Sequence, residues 1–256
     1  MTALVRTERC GRAMVATMSR PPVNALDDAL IAELERVIDE AVADDEVALL
    51  HLRSDQRAFC AGADLALIRD CFATPQGPDA MIEIVRHMQR LFQRLEAAPV
   101  VTLAEIATAA LGGGLELALA CDLRVAALDA RLGLPEASLG LVPGAGGTQR
   151  LARLCGPGLA RRLVLGAEVI DGSQAAQLGL VQWARPADEL SAWARELAAR
   201  YAGNPKAALV ANKRCIAAAS VPGRDGYADE ITETRALYEH PETRRRVTDF
   251  LRRRAE

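Results

Sequence analysis

Two glutamates in the sequence are candidates for catalytic residues. Glu116 lies in ALGGGLELALACD (110–122), and from 115 to 121 it is the only residue that is not apolar. Burying an unpaired carboxylate is costly, because loss of water destabilises the charged form. Glu136 follows in GLPEASLG, 20 residues (136 − 116) further along. Two carboxylates beside one substrate can divide the work of a general acid and a general base.

Each glutamate also has an ordinary interpretation. Glu116 alone fits a partly solvated helix residue, and Glu136 alone fits a first-turn residue stabilised by the helix dipole. On one helix, the 20-residue spacing would separate them by about 30 Å, too far to share a substrate. Pro135 and a strand pattern at 122–126 interrupt such a helix. The acids can therefore meet only if the chain doubles back, which spacing alone does not establish.

Glycine-containing turns follow two predicted strands, at FCAGADL (59–65) and at GGG (112–114). A turn from strand to helix leaves backbone N–H groups free at the helix N-terminus, where negative charge is favoured. Alone, each is typical of a simple tight turn. Neither matches G-x-G-x-x-G or the Walker pattern, so phosphate binding has little support.

Other catalytic classes find little support in the residue pattern. The histidines, His51, His87 and His240, have no metal-ligand spacing, and none of the six cysteines forms C-x-x-C. A G-x-S-x-G nucleophile elbow is missing too, although sequence alone does not exclude a Ser-His-Asp triad. We therefore expect no metal site.

The elements that must position these residues alternate between strand and helix. The pattern predicts strands around Gly11, at 47–52, at 99–106 and at 122–126, helices from Asp27 or Asp28 to about Ala43 and over 81–95, and a mobile loop over 66–80. Repeated strand, turn and helix indicate an α/β fold with parallel pairing. From about Pro186 only helical patterns follow, opening near 187, 205, 224 and 241. We expect a core over 1–190 with the active site and a helical oligomerisation region over 191–256.

Composition sets the broad class. The chain has 256 residues, half of them hydrophobic, and a formal net charge of −3, which suits a globular protein with no general attraction to nucleic acid. The N-terminus is too polar for a secretory signal, and no uncharged apolar run reaches the ~18 residues of a membrane span. We expect a reduced, cytoplasmic protein.

Taken together, several motifs resemble the crotonase superfamily, the enoyl-CoA hydratase/isomerase family, and enoyl-CoA hydratase in particular. They cover nearly the whole chain, in the order RPPVNAL, RAFCAGADL, LGGGLELALACDLRVA, LGLPEASLGLVPGAGGTQRL and GAEVIDGSQAAQLGLV. The resemblance implies a spiral of ββα repeats with a helical C-terminal region, assembled as a homotrimer or homohexamer. It also implies an acyl-CoA substrate, and it implies hydration of an α,β double bond.

The resemblance assigns roles to individual residues. Backbone N–H groups of Ala63 and Gly113 would bind the thioester oxygen, and Glu116 and Glu136 would hold the reacting water, with their separate roles left open. Substrate and CoA contacts fall on Ala61, Ala63, Asp64, Leu65 and Gly113. No metal or redox cofactor is implied, since coenzyme A is part of the substrate.

The sequence departs from the family pattern at some positions, and alternatives stay open. Thr108 stands where the family commonly has glycine, and Arg245 and Arg246 stand where it often has Glu-Gly. An isomerase or another reaction of the superfamily is the nearest rival, although family isomerases typically keep only one of the two acids. A catalytically silent acyl-CoA-binding scaffold is a second rival. RNA binding through the arginine-rich end is a third, which the scarcity of aromatic residues there disfavours.

Overall fold

The computed structural model describes residues 3–255. Strands and helices alternate along most of the chain. The strands are β1 (Val5–Cys10), β2 (Ala13–Met18), β3 (Leu49–Ser54), β4 (Val101–Ile106), β5 (Ala109–Leu111), β6 (Leu123–Ala127), β7 (Arg131–Gly133), β8 (Val169–Asp171) and β9 (Trp183–Arg185). The helices are α1 (Asp28–Ala43), α2 (Leu65–Phe72), α3 (Gly77–Ala97), α4 (Gly113–Leu119), α5 (Gly147–Leu165), α6 (Gly172–Gln177), α7 (Ala187–Ala202), α8 (Lys206–Ala218), α9 (Gly226–Glu239) and α10 (Pro241–Ala255). A 3₁₀ turn covers Pro135–Leu139.

The main sheet has six strands in the order β1-β2-β3-β4-β6-β9. Only the first pair, a hairpin around Gly11, is antiparallel, and the other four pairings are parallel. Every residue of β4 is buried, as expected for a central strand covered on both faces. The prediction of an α/β fold with parallel pairing is confirmed.

A second, three-stranded sheet has the order β5-β7-β8. Its first pair is parallel and aligns Leu111 with Gly133, and its second pair is antiparallel. The chain leaves the main sheet after β4, forms β5, enters α4 and returns to the main sheet as β6. Strands β5 and β7 of the short sheet thus lie in the same stretch of chain as the two glutamates, and the pairing of these two strands determines the positions of both acids.

The helices that cover the main sheet follow the predicted apolar spacing. In α1, the Asp27 side chain caps the helix by accepting a hydrogen bond from the backbone N–H of Leu30, and Leu30, Leu34 and Ile38 are buried on one face. Helix α3 buries Met88, Leu91, Phe92 and Leu95 at the same helical spacing.

The expectation of a mobile loop over 66–80 is wrong. Helix α2 fills most of its first half, and α3 begins at Gly77. Two local signals explain the difference: Asp64 caps α2 through the N–H of Ala66, and Pro78 lies in the first turn of α3, where its missing N–H costs nothing. Only residues 73–76, between the two helices, form a turn.

The four predicted C-terminal helices are confirmed as α7 to α10. Helix α7 packs on the main sheet and buries Leu190, Ala194 and Leu197, whereas α9 buries none of its residues. The predicted boundary between 190 and 191 therefore falls inside a helix that belongs with the sheet, and the division into two regions stays a prediction. Among the described residues, no helix has both the length and the apolar character needed to cross a bilayer.

Candidate active site

The glycine turn before α4 lets the backbone pass unusually close to the 59–65 turn. Gly112 has a φ of 54°, a value that favours glycine, and α4 begins at the next residue. A Cβ atom on Gly114 would lie 2.0 Å from the carbonyl oxygen of Cys60. A side chain at 114 would thus push α4 away from the 59–65 turn, and the glycine keeps the two segments in contact.

Two backbone N–H groups converge at this contact. A Cβ on Gly113 would lie 3.6 Å from the backbone nitrogen of Ala63, and a Cβ on Gly62 would lie 3.3 Å from the nitrogen of Gly113. Within residues 3–255, neither of these N–H groups donates a hydrogen bond to a protein acceptor. The structure therefore brings together Ala63 and Gly113, with both donors free for a ligand oxygen.

The 59–65 turn is held in place by the chain around residue 26. The N–H of Leu26 donates to the carbonyl of Gly62 at 2.8 Å, and the N–H of Asp64 donates to the carbonyl of Leu26 at 3.0 Å. These two bonds bracket Ala63 and leave its own N–H pointing away from them. The donor is held by backbone bonds, so its direction does not depend on a flexible side chain.

The remaining predicted contact residues surround Ala63 and serve the turn as well. Ala61 is exposed. The carboxylate of Asp64 accepts the N–H of Ala66 at 2.8 Å and pairs with Arg20 at 2.6 Å, and these contacts lower its pKa. Leu65 begins α2, and its side chain lies outside the described part of the structure.

The chain doubles back between the two glutamates. Parallel pairing of β5 with β7 sets Leu111 beside Gly133, and the N–H of Gly112 donates to the Gly133 carbonyl at 3.0 Å. The 3₁₀ turn that follows β7 places Glu136 against the glycine turn, so that a Cβ on Gly112 would lie 3.0 Å from its Oε1 atom. Glu136 thus lies against the glycine turn that carries the N–H of Gly113, and Glu116 lies in the helix that begins at that turn.

Glu116 is buried, with 2% of its surface exposed, so the interpretation as a partly solvated helix residue is wrong. Its Oε1 accepts a 2.7 Å hydrogen bond from the backbone N–H of Gly147. Burial raises its pKa to about 7, the hydrogen bond from Gly147 opposes that rise, and the charge of Glu136 adds to it. The group can therefore exist in either protonation state near neutral pH.

Glu136 is half-buried, and burial raises its pKa as well. Its Oε2 is buried without a hydrogen-bond partner among the described residues. A buried polar atom of this kind needs a partner, which in proteins is commonly water or a ligand. The two acids thus differ in their hydrogen bonds. Glu116 accepts one from the protein backbone, whereas the Oε2 of Glu136 has no partner among the described residues and can bind water or a ligand.

The far end of α4 is held by a buried arginine from β6. Arg124 donates to the carbonyl oxygens of Cys121 at 2.5 Å, Ala118 at 3.3 Å and Leu180 at 2.9 Å. Cations next to the last carbonyls of a helix stabilise it. Helix α4 is thereby fixed at one end by Arg124 and at the other by the glycine turn.

Sequence reasoning missed the residues that hold Glu116. The PGAGGTQRL motif was assigned no role beyond the resemblance, yet its loop supplies the N–H of Gly147 to Glu116. A Cβ on Gly147 would lie 2.9 Å from the Oε1 of Glu116, which explains why glycine stands there. The sequence signal that could have found this contact is the pair of adjacent glycines in the motif, the second of which begins a helix.

Residues suited to metal binding do not gather at this site. Within residues 3–255, no group of three or more His, Cys, Asp and Glu side chains is placed to hold an ion. His51 lies in the sheet beside Glu105, and His87 lies between Asp28 and Glu35. Thr108 donates to the carbonyl of Arg57 at 2.8 Å, so this departure from the family pattern ties the β4–β5 connection to the chain just before the 59–65 turn.

A protein-family model described as enoyl-CoA hydratase/isomerase matches residues 10–255. The chain belongs to this family. A probable enoyl-CoA hydratase of Bacillus subtilis is 41% identical over 189 residues, which cover 73% of this chain and 72% of the relative. A short-chain-enoyl-CoA hydratase of Clostridium acetobutylicum is 35% identical over 211 residues, covering 82% and 79%.

The fold of this enoyl-CoA hydratase/isomerase family member is that of solved relatives. A crystal structure of enoyl-CoA hydratase from Bacillus anthracis superposes with a TM-score of 0.91 at 29% identity, over 98% of this chain and 96% of the other. The expectation of a crotonase-like fold is confirmed.

Proposed function

We propose that this chain is a 2-enoyl-CoA hydratase, which adds water across the α,β double bond of an acyl-CoA thioester. One arrangement carries the proposal: Glu136 lies against the glycine turn with the two free backbone N–H groups, and its charge acts on Glu116 in the helix that follows that turn. One carboxylate has a pKa of about 7, and the other has a buried oxygen without a protein partner. The relatives named as enoyl-CoA hydratases support the same reaction.

In the proposed mechanism, negative charge develops on the thioester oxygen as water adds to the β-carbon. The N–H groups of Ala63 and Gly113 stabilise that charge, and each such donor contributes about 2.7–4 kcal/mol in comparable sites. One glutamate takes a proton from the water, and the other delivers a proton to the α-carbon. Burial raises the pKa of both acids, which favours the protonated form that a proton donor needs.

The nearest alternative, double-bond isomerisation, moves a proton within the substrate. A single acid can take that proton and return it. In this chain both acids lie beside the glycine turn, and the unpartnered Oε2 of Glu136 offers an acceptor for water. The pair favours hydration over isomerisation.

No metal or redox cofactor enters this mechanism, because hydration needs only a base, an acid and an oxyanion site. The sole partner we propose besides acyl-CoA is a second copy of the chain. Nucleic-acid binding through α10 is not proposed. Arg246 pairs with Glu242 at 3.0 Å and Arg245 with Asp249 at 3.6 Å, so part of the positive charge is neutralised within the helix. A cytoplasmic location stays a prediction.

We further propose a homotrimer or a pair of trimers, assembled through the C-terminal helices. Helix α9 buries none of its residues, yet Ile231 is 73% and Tyr227 is 83% exposed. Exposed apolar groups of this size are typical of an interface. Light scattering at micromolar concentration tests assembly, and a monomer, or a trimer that survives deletion of 224–256, would contradict this part.

The hydration proposal is tested with Glu116→Gln and Glu136→Gln. Each change should lower kcat on crotonyl-CoA by at least ~10²-fold, the usual effect of losing a general acid or base. Acyl-CoA binding should persist, because amides of the same size replace the acids. Loss of absorbance of the conjugated thioester measures the reaction.

Glu46→Gln, on the exposed surface, is the matched control and should leave kcat unchanged. If the wild-type chain binds acyl-CoA without hydrating it, the chain is a scaffold. If both variants hydrate as fast as the wild type, the assignment of the acids is wrong.

A further inference from the structure

One face of α3 touches the loop that carries the N–H of Gly147. Val85, Gln89 and Glu96 follow helical spacing and lie on this face. A Cβ on Gly144 would lie 3.1 Å from the Cγ1 of Val85, and the Nε2 of Gln89 donates to the Gly144 carbonyl at 2.6 Å. The loop is thus held at Gly144 by a side-chain donor and by packing.

Arg150 ties the same loop to the same helix at a second point. Its Nη1 donates to the carbonyl of Ala145 at 3.0 Å, while its Nε and Nη2 reach Glu96 at 3.0 and 2.8 Å. Only 9% of Arg150 is exposed. A planar guanidinium can make these contacts together, whereas a lysine ammonium cannot reproduce the fork.

The same loop also orients the carboxylate of Glu116. Its carboxylate accepts a 2.7 Å hydrogen bond from the backbone N–H of Gly147, and the backbone of Ala145 also lowers its pKa. Gln89 donates a hydrogen bond to the carbonyl of Gly144, one residue before Ala145, and Arg150 donates one to the carbonyl of Ala145 itself. Displacement of the loop by a fraction of an ångström would therefore move the donors that orient Glu116.

We propose that Gln89 and Arg150 are positioning residues for Glu116, which act by clamping the 144–147 loop against α3. The proposal rests on the proposed hydratase function for its kinetic consequences. It assigns neither residue a contact with substrate. It also links the catalytic acid to α3, a helix that contributes no acid or oxyanion donor.

Release of the clamp has two consequences that a purely structural role would not produce together. The hydrogen bond from Gly147 lowers the pKa of Glu116, so a weaker bond raises that pKa. Misplacement of a catalytic group lowers kcat while substrate affinity stays nearly constant, because the thioester contacts are made elsewhere.

The decisive variant is Gln89→Met, which keeps the size of the side chain and removes its donor without changing charge. We expect kcat to fall by about 10-fold with KM changed less than about twofold. The limb of the pH profile that reports Glu116 should move upward by about 0.5–1 pH unit. Arg150→Lys keeps the positive charge and loses the fork, so it should show the same split between kcat and KM.

Matched controls lie on the same two helices. Gln93→Met on α3 and Arg153→Lys on α5 change exposed residues of the same types, and both should behave as the wild type. If Gln89→Met and Arg150→Lys match these controls in kcat and in the pH profile, the proposal is overturned. A change in KM alone would overturn it as well.

Hydrogen exchange of the Gly147 amide separates this proposal from the hydratase assignment. Its exchange should be faster by about 10-fold in Gln89→Met than in Gln93→Met, because the hydrogen bond to Glu116 opens more often. This readout needs no turnover. Unchanged exchange in Gln89→Met would overturn the clamp even if the chain is a hydratase, and faster exchange would support it even if the reaction is another one.

Discussion

The backbone N–H of Gly147 donates a 2.7 Å hydrogen bond to the Oε1 of Glu116, 31 residues earlier in the chain. This bond joins the first residue of α5 to the middle of α4 inside an apolar environment. It supports the ionised carboxylate at a place where burial opposes ionisation. The balance leaves the pKa of Glu116 at about 7, so its protonation state near neutral pH can be changed by one contact.

The pH profile of kcat/KM should therefore contain a limb near pH 7. If Glu116 acts first as the base, activity falls below that pH, because its protonated form cannot accept a proton. If it acts first as the acid, activity falls above it. Measurement between pH 5.5 and 9 with crotonyl-CoA identifies the role, and a flat profile between pH 6 and 8 would contradict the raised pKa.

Stability should also depend on Glu116. Its pKa in the folded protein, about 7, lies above its ordinary value of 4.5, so between these values the folded chain holds a proton that the unfolded chain has lost. Stability therefore falls as pH rises from 4.5 to 7 and stays lowered above it.

Glu116→Gln removes the loss of stability that ionisation of the buried carboxylate causes. The variant should be more stable than the wild type by up to about 3 kcal/mol at pH 8, and the gain should disappear below pH 4.5. Urea unfolding at both pH values and one fixed protein concentration measures the difference. Equal stabilities at pH 8 would show that the buried carboxylate is solvated or paired in solution.

The oxyanion assignment predicts that Gly113→Pro lowers kcat by about 10²–10³-fold, because proline has no N–H. Gly113 is the first residue of α4, the helix position that accepts proline best. Circular dichroism and light scattering must show that the variant folds and assembles.

Gly113→Ala is an imperfect control for this change. It keeps the N–H, but its methyl carbon would lie 3.3 Å from the Cδ1 of Leu26 and 3.6 Å from the Ala63 nitrogen. It should therefore also lose some activity, though much less than Gly113→Pro. Equal losses in two folded variants would mean that the N–H of Gly113 is not used.

A second buried carboxylate, Glu105, should matter for stability. Its Oε2 lies 2.9 Å from the Nε2 of His51 on the neighbouring strand, close enough to interact but without the alignment of a hydrogen bond, and the two side chains are 4% and 0% exposed. Loss of one partner leaves the other buried without its neighbouring polar group, so Glu105→Leu and His51→Leu should each lower the free energy of unfolding by about 1–3 kcal/mol.

The double variant should be less destabilised than the sum of the two single changes, because no polar group is then left unpaired. Urea unfolding of the four proteins completes the cycle. Additive effects would show that the two side chains do not interact.

The sequence by itself determined the alternation of strands and helices, because apolar spacing and capping residues are local. It located the start of α1 at Asp27 or Asp28, α4 with its glutamate, and the four C-terminal helices. Its resemblance to a known family pointed to Glu116, Glu136, Ala63 and Gly113 as one site. Local reasoning failed at 66–80, where turn-forming residues outweighed the caps that begin α2 and α3.

Only the tertiary structure decided how these residues meet. The approach of Glu136 to the glycine turn depends on the pairing of Leu111 with Gly133, and no local pattern encodes that register. The burial of Glu116, its bond to Gly147 and the clamp through Gln89 and Arg150 join segments that lie far apart in sequence. Such contacts form because the packed sheets and helices remove much of the water around these groups, so hydrogen-bond partners within the fold take its place.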